Sequence, residues 1–158
     1  VVPASRSTEA RADHRASEGT VSRSGYSDDL DPRDLALYRG AVASALRGKR
    51  GQLLLREMRD ALEQLPERRL ISGELEASDG SDDVCALGAV GRMRGIEMRG
   101  LDPENRYQIA AYFDVAEALA AEVVYENDEG GSPLETPEER WIRVHAWVME
   151  NLRGGEES

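Results

Sequence analysis

With 158 residues, 40% of them hydrophobic and 32% charged, the chain has the size and composition of one globular domain with a substantial core. No apolar run approaches the roughly 20 residues of a membrane helix, and the single cysteine, Cys85, excludes an internal disulfide framework and argues against a thiolate zinc site. The formal net charge is −11, and residues 101–158 contain only four basic against 14 acidic side chains. Such an acidic segment repels phosphate and favours basic partners.

Residues 1–26 have almost no apolar side chains and are predicted to form a disordered tail. The chain begins at Val1, which indicates either a translated GTG codon with the true start near Val21 or the remnant of a cleaved tag. The tail lacks the apolar block of a signal peptide, so we expect a cytoplasmic location. Residues 27–153 are expected to form a single helical domain, and residues 154–158 a disordered C-terminus.

The predicted fold class is mainly α, a compact domain of five or six helices. Three helix starts are marked by a capping oxygen directly before a proline, where a missing N–H costs nothing. They are Asp31-Pro32, Asp102-Pro103 and Thr136-Pro137. Glu139 stands three residues after Thr136, the spacing of a capping box. Apolar residues at helical spacing predict helices over about 32–46, 52–65, 83–93, 103–113, 115–125 (capped by Asp114) and 137–152.

Two links between these helices have their own predictions. Residues 47–51 are expected to separate the first two helices, which then form a helical hairpin. Residues 69–76 fit two structures, because Ile71, Gly73 and Leu75 alternate as in a strand, whereas Leu70 and Ile71 with Leu75 fit one helical turn. A short β-hairpin near 69–85 therefore remains an alternative.

The basic link between the first two helices is a candidate anion patch, made of Arg47, Lys49 and Arg50. A phosphate-binding loop is excluded, because Ala43 stands where that motif needs glycine and Arg50 where it needs serine or threonine. A solvated turn that closes a helix with cations explains the same residues.

No catalytic residue, cofactor or metal ligand is predicted. A cysteine nucleophile needs a base, and the one histidine outside the tail is His145, so a Cys85–His145 pair is the remaining route to an enzyme. Cys85 stands among apolar residues, which is typical of a small buried side chain. The acids around Asn127 do not match a calcium loop, and Asn127 or Asp128 is expected to cap the loop or contact another helix.

The acidic side chains of the last third, together with one tryptophan, are the candidate interaction residues. We expect these carboxylates to share one exterior face, and the tryptophan to be a partly exposed anchor. The residues are Glu122, Glu126, Asp128, Glu129 and Trp147.

Several segments resemble small acidic proteins predicted from bacteriophages and prophages, a group with no established activity. The segments are 22–29 (SRSGYSDD), 48–52 (GKRGQ), 84–90 (VCALGAV), 127–129 (NDE) and 136–138 (TPE). The resemblance covers about residues 22–152 and implies a phage or prophage origin and a single domain. It supplies no catalytic residue.

The leading functional prediction is a protein-interaction module of phage or prophage origin that acts in the host cytoplasm on a basic host or phage protein. Neither a membrane nor a nucleic acid is the expected partner, and no oligomeric state is predicted. One alternative is a nucleic-acid-binding regulator that combines the candidate anion patch with Arg92 and Arg94. The other is an enzyme that uses Cys85 and His145.

Overall fold

The computed structural model describes residues 31–154, so the predictions for the tail 1–26 and for residues 155–158 lie outside it. Over residues 31–154 the chain is mainly α-helical, as predicted, and forms six helices. They are α1 (Pro32–Arg47), α2 (Lys49–Gln64), α3 (Ala86–Arg94), α4 (Arg106–Phe113), α5 (Glu117–Asp128) and α6 (Pro137–Asn151). None of these described helices has the length and apolar character needed to span a membrane.

Two of the predicted helix starts are confirmed. Asp31 caps α1 by accepting a hydrogen bond from the Arg33 N–H, 2.8 Å away. Thr136 caps α6 by accepting from the Glu139 N–H, and the Glu139 carboxylate accepts in return from the Thr136 N–H, which completes the capping box. In both helices the proline occupies the first position, where no hydrogen bond is lost.

The helix start predicted at Asp102-Pro103 is wrong by three residues. The side chain of Asn105 accepts from the Gln108 N–H at 3.1 Å, so α4 begins at Arg106. Asp102 accepts from the Glu104 N–H and closes a turn just before the helix. Asp and Asn are comparable caps, so cap chemistry alone did not separate the two positions.

The cap predicted at Asp114 for the next helix is also wrong. Asp114 ends α4 in the left-handed conformation, with φ 54°, and its N–H donates to the Ala110 carbonyl. Helix α5 begins later, at Glu117, behind Ala116, whose side chain makes no capping bond. A start without a capping side chain carries no signal in the sequence.

The predicted break at 47–51 is reduced to a single residue, Gly48. Its backbone is extended, with φ −72° and ψ 163°, and α2 begins immediately at Lys49. Three residues later, Gly51 lets the two helices approach closely, because a Cβ there would lie 1.9 Å from the Ala45 carbonyl oxygen. The helical hairpin is thus confirmed, with a tighter corner than expected.

Residues 69–76 form neither the predicted helical turn nor a strand of several residues. In place of the β-hairpin expected as an alternative, the structure has one isolated antiparallel bridge, between Glu76 and Val84. The Ile71 N–H donates to the Val84 carbonyl, and the Leu70 N–H donates to the carbonyl of Pro137 at the start of α6. Hydrogen bonds of this segment therefore link the residues just before α3 to the start of α6.

One hydrophobic cluster joins α2, α3, α4, α5 and α6. Helices α2 and α6 face it with apolar side chains, of which Leu54, Met58 and Val144 are fully buried. Helix α1 is different, because Val42 is its one buried residue and does not belong to this cluster. Three further residues at helical spacing with Val42 are only partly buried; they are Leu35, Tyr38 and Leu46.

Candidate functional site

Glu122 is buried rather than on the expected exterior face. Only 2% of its side chain is exposed, because α1 packs over this side of α5. The carboxylate forms an ion pair with the guanidinium of Arg39 on α1, which is 53% exposed. Burial, followed by the charge of Glu122, raises the pKa of the neighbouring Tyr38 to about 12. Glu122 is therefore part of a helix contact, and its assignment to the exterior is corrected.

Glu126 is half-buried one turn further along α5. Burial and then repulsion from Glu122 raise the pKa of its carboxyl group, whereas Arg143, 3.7 Å away, acts in the opposite direction. Its side chain is 22% exposed. Of the four acids among the candidate interaction residues, Glu129 alone is exposed.

Asn127 and Asp128 hold other segments in place, as expected. The Asn127 side chain is buried; its oxygen accepts from the Ala86 N–H at 3.0 Å, and its amide donates to the Ile71 carbonyl at 2.9 Å. Asp128 accepts from the Gly73 N–H at 3.2 Å. The segments 84–90 and 127–129 therefore meet, and their contact positions the start of α3.

The basic side chains of α6 point inward. Arg143 donates to the carbonyls of Glu126 and Asn127 at the end of α5, which are the groups that a helix leaves unpaired. It also pairs with Glu135 at 2.7 Å, and this hydrogen bond lowers the pKa of the Glu135 carboxyl group. Arg140 donates to the Leu70 carbonyl and is 13% exposed. Few positive charges of α6 therefore reach its outer surface.

The outward side of α6 carries an apolar strip that the sequence analysis missed. Ile142, Ala146 and Met149 are spaced at four and three residues, so they lie on one face of the helix, which we call the α6 outer strip. Ile142 is 65% exposed and Met149 46%. Their signal was an apolar pattern on a second face of α6, beside the stripe that packs on the core.

Exposed carboxylates stand at both ends of the α6 outer strip. Glu138 and Glu139 precede Ile142, and Glu150 follows Met149. The arrangement is an apolar centre with acidic borders on a helix whose arginines at positions 140 and 143 are turned inward.

Trp147 is half-buried, as expected, but packs against the hydrophobic core rather than on the α6 outer strip. Its carbonyl accepts a hydrogen bond from the side chain of Asn151 at 2.8 Å. Its role as an interface anchor stays a prediction.

The three residues of the candidate anion patch, Arg47, Lys49 and Arg50, are all exposed. One of them, Arg50, forms a surface ion pair with Asp114 at 3.1 Å. The arginines proposed to extend the patch bond elsewhere: Arg92 donates to the Asp82 carbonyl, and Arg94 pairs with Glu57 and donates to the Phe113 carbonyl.

Cys85 and His145 have separate partners. Cys85 is 1% exposed, and its sulfur accepts from the Gly88 N–H at 3.4 Å as the cap of α3. His145 stacks on Trp141 with 4.7 Å between ring centroids, and its Nε2 lies 3.0 Å from the Glu63 carboxylate. No hydrogen bond of the described residues joins the thiol to the imidazole.

Comparison with known proteins adds no relative. No protein-family model matches the chain, and neither a curated protein nor a solved structure does. Within residues 31–154, no group of three or more His, Cys, Asp or Glu side chains is arranged to hold a metal ion.

Proposed function

We propose that this protein is a binding protein that docks a basic, amphipathic segment of a host or phage protein on the α6 outer strip. The supporting observation is the exposure of Ile142 and Met149 on one helix face between acidic ends. Apolar side chains grouped on a surface and bordered by charges are typical of protein interfaces.

The charges on α6 favour a basic partner. Residues 101–158 have a net charge of −10, and the inward direction of Arg140 and Arg143 leaves Glu138 and Glu150 at the surface. These two acids are 12 residues apart, which corresponds to about 18 Å along a helix. A partner helix of three to four turns, with lysine or arginine near its ends, matches that length.

A photo-crosslinking amino acid at position 146 tests the location of the interface. We expect the full-length chain with this substitution at Ala146 to capture a defined partner in producing cells. The matched control carries the same amino acid at Ala36, which is also exposed but lies on α1. Equal capture from positions 146 and 36 would contradict the proposal.

Substitutions in the α6 outer strip test its energetics. Ile142→Asp combined with Met149→Asp should reduce capture at least tenfold, because the apolar anchors are lost. Leu37→Asp is the control, since Leu37 is 64% exposed on α1 and closely matches Ile142 at 65%. All variants should keep the helix content of the native chain by circular dichroism.

The acidic ends are tested separately. Glu138→Lys with Glu150→Lys should weaken the captured complex and reduce its sensitivity to salt, because the attraction between opposite charges is removed. The proposal would be overturned if neither double variant, Glu138→Lys with Glu150→Lys or Ile142→Asp with Met149→Asp, changed binding of the partner.

A further inference from the structure

Helix α1 is held less firmly than the helix that follows it. Both have 16 residues, but α2 buries seven of them and α1 only Val42. Val42 lies outside the main hydrophobic cluster, which α1 reaches only through the partly buried Ala45 and Leu46 in its last turn. Little apolar area therefore holds the first three turns of α1 against α5.

The contact between α1 and α5 instead depends on a charge pair. Glu122 is almost completely buried and needs a cation, which Arg39 supplies. The buried hydroxyl group of Tyr38 has no hydrogen-bond partner within residues 31–154. Removal of the cation would leave the Glu122 carboxylate buried without a counter-charge, whereas Arg39 remains 53% exposed, so this face of α5 strongly selects a partner with a cation at that position.

The corner between α1 and α2 needs only one torsion to open. Gly48 already has a helical φ of −72°, and its N–H already donates to the Ser44 carbonyl at 3.2 Å, the hydrogen bond of a continuing α-helix. Its ψ of 163° is the element that departs from helix. Rotation of this ψ alone joins α1 and α2 into one helix from residue 32 to residue 64.

We infer that two copies of this chain exchange α1, so that Arg39 of each copy pairs with Glu122 of the other. In the exchanged dimer α1 and α2 are continuous, and α1 lies on α5 of the second copy in the contact it otherwise makes within its own chain. The occupant is fixed by the structure, because this face of α5 already binds α1 through a matched charge. Exchange through a short hinge is an accessible route to a dimer.

Charge reversal with mixing of two chains tests the exchange directly. Arg39→Glu alone places two acids at the contact, and Glu122→Arg alone places two bases there. When the two variants are mixed and refolded together, each exchanged contact in the mixed dimer joins opposite charges. We expect a 1:1 heterodimer by light scattering and native mass spectrometry, with at least tenfold less dimer in either variant alone. Folded variants that give no heterodimer would overturn the inference.

Two hinge substitutions give a second test that leaves the ion pair intact. Gly48→Ala fits the bent chain, where the nearest atom would be 3.6 Å from the new Cβ, and favours the continuous helix about fivefold per hinge. Lys49→Pro keeps the corner bent, because proline is accepted at the first position of α2 and holds the preceding residue extended.

The dimer fraction of these two variants is measured by size-exclusion chromatography with light scattering over a concentration series. It should rise in the order Lys49→Pro, native chain, Gly48→Ala. Equal dimer fractions in all three chains would overturn the exchange. It would also be overturned if both the native chain and the Gly48→Ala variant stayed monomeric. Because the α6 outer strip takes no part in the exchange, this result is independent of the binding proposal.

Discussion

Glu126 and Glu135 both lie beside the guanidinium of Arg143, but the pKa values of their carboxyl groups are shifted in opposite directions. Glu135 accepts hydrogen bonds from Arg143, which lowers the pKa of Glu135 below its ordinary value. Burial and the charge of Glu122 raise the pKa of Glu126. A lowered folded-state pKa adds stability above the unfolded pKa, and this stability is lost as the pH falls, while a raised pKa has the opposite sign.

We therefore expect opposite results for two matched substitutions. At pH 7, Glu135→Gln should lower the free energy of unfolding by about 1–2 kcal/mol, because charge-assisted hydrogen bonds are lost. Glu126→Gln should leave that free energy unchanged or raise it slightly, since the neutral amide avoids burying a charge. Each difference should shrink as the pH falls and the native carboxyl group takes up a proton, and this should occur at a higher pH for Glu126, whose pKa is raised, than for Glu135, whose pKa is lowered.

Urea unfolding of the native chain and both variants between pH 7 and pH 3 measures these differences. If the two variants lost their differences from the native chain over the same pH range, Glu126 and Glu135 would have similar pKa values. That result would contradict the opposite pKa shifts assigned to them.

At the residue scale, the sequence predicted types of contact but not their partners. It assigned Asn127 to a cap or helix contact and Cys85 to the interior, and both are found there. It placed Glu122 on the surface, because the α1 packing that buries this residue involves Arg39, 83 positions earlier. A local pattern carries no information on which distant helix covers which face.

At the scale of the helices, the glycines of α3 permit close packing. A Cβ at position 88 would lie 2.0 Å from the Leu75 carbonyl oxygen, which belongs to the backbone. A Cβ at position 91 would lie 2.5 Å from the Met98 sulfur and 3.3 Å from the Phe113 ring, so it would meet side chains, the nearer of them flexible, rather than backbone.

Alanine at these two positions should therefore have unequal effects. Gly88→Ala should lower the free energy of unfolding by about 2–3 kcal/mol, because overpacking against backbone outweighs the gain in helix propensity. Gly91→Ala should cost less than about 1 kcal/mol, since a side-chain shift relieves the contact. Chemical denaturation of both variants measures the order, and a larger loss for Gly91→Ala would contradict this account of α3.

Helix boundaries followed from the sequence where a cap was unambiguous. The starts of α1 and α6 were predicted because oxygen and proline signals coincide with an amphipathic run. The start of α4 was missed because Asp102-Pro103 presents the same oxygen and proline signal although Asn105 forms the cap, and that of α5 because Ala116 presents no capping side chain. A helix with two competing caps or with no capping side chain therefore has a start that the sequence pattern does not fix.

At the scale of the whole molecule, stability is uneven. Helices α2 to α6 share one hydrophobic cluster, whereas α1 adds Val42 outside it. Segments with few buried apolar contacts open with less free energy than the core does.

Hydrogen exchange measures this difference. The amides in the first three turns of α1 should exchange at least tenfold faster than those in the middle of α2, which has the same length. Measurement at low protein concentration restricts the comparison to the single chain. Equal protection of the two helices would show that α1 unfolds only together with the core, in conflict with the weak docking described above.

The distribution of cations has a practical outcome. Nineteen of the 20 basic residues are arginines, so Lys49 is the sole side-chain amine in the chain, and it stands exposed one residue after Gly48. An amine-reactive fluorophore therefore attaches, apart from the α-amino group, at this corner alone. The fluorescence of this label can thus report a change in the surroundings of the Gly48 corner without any mutation.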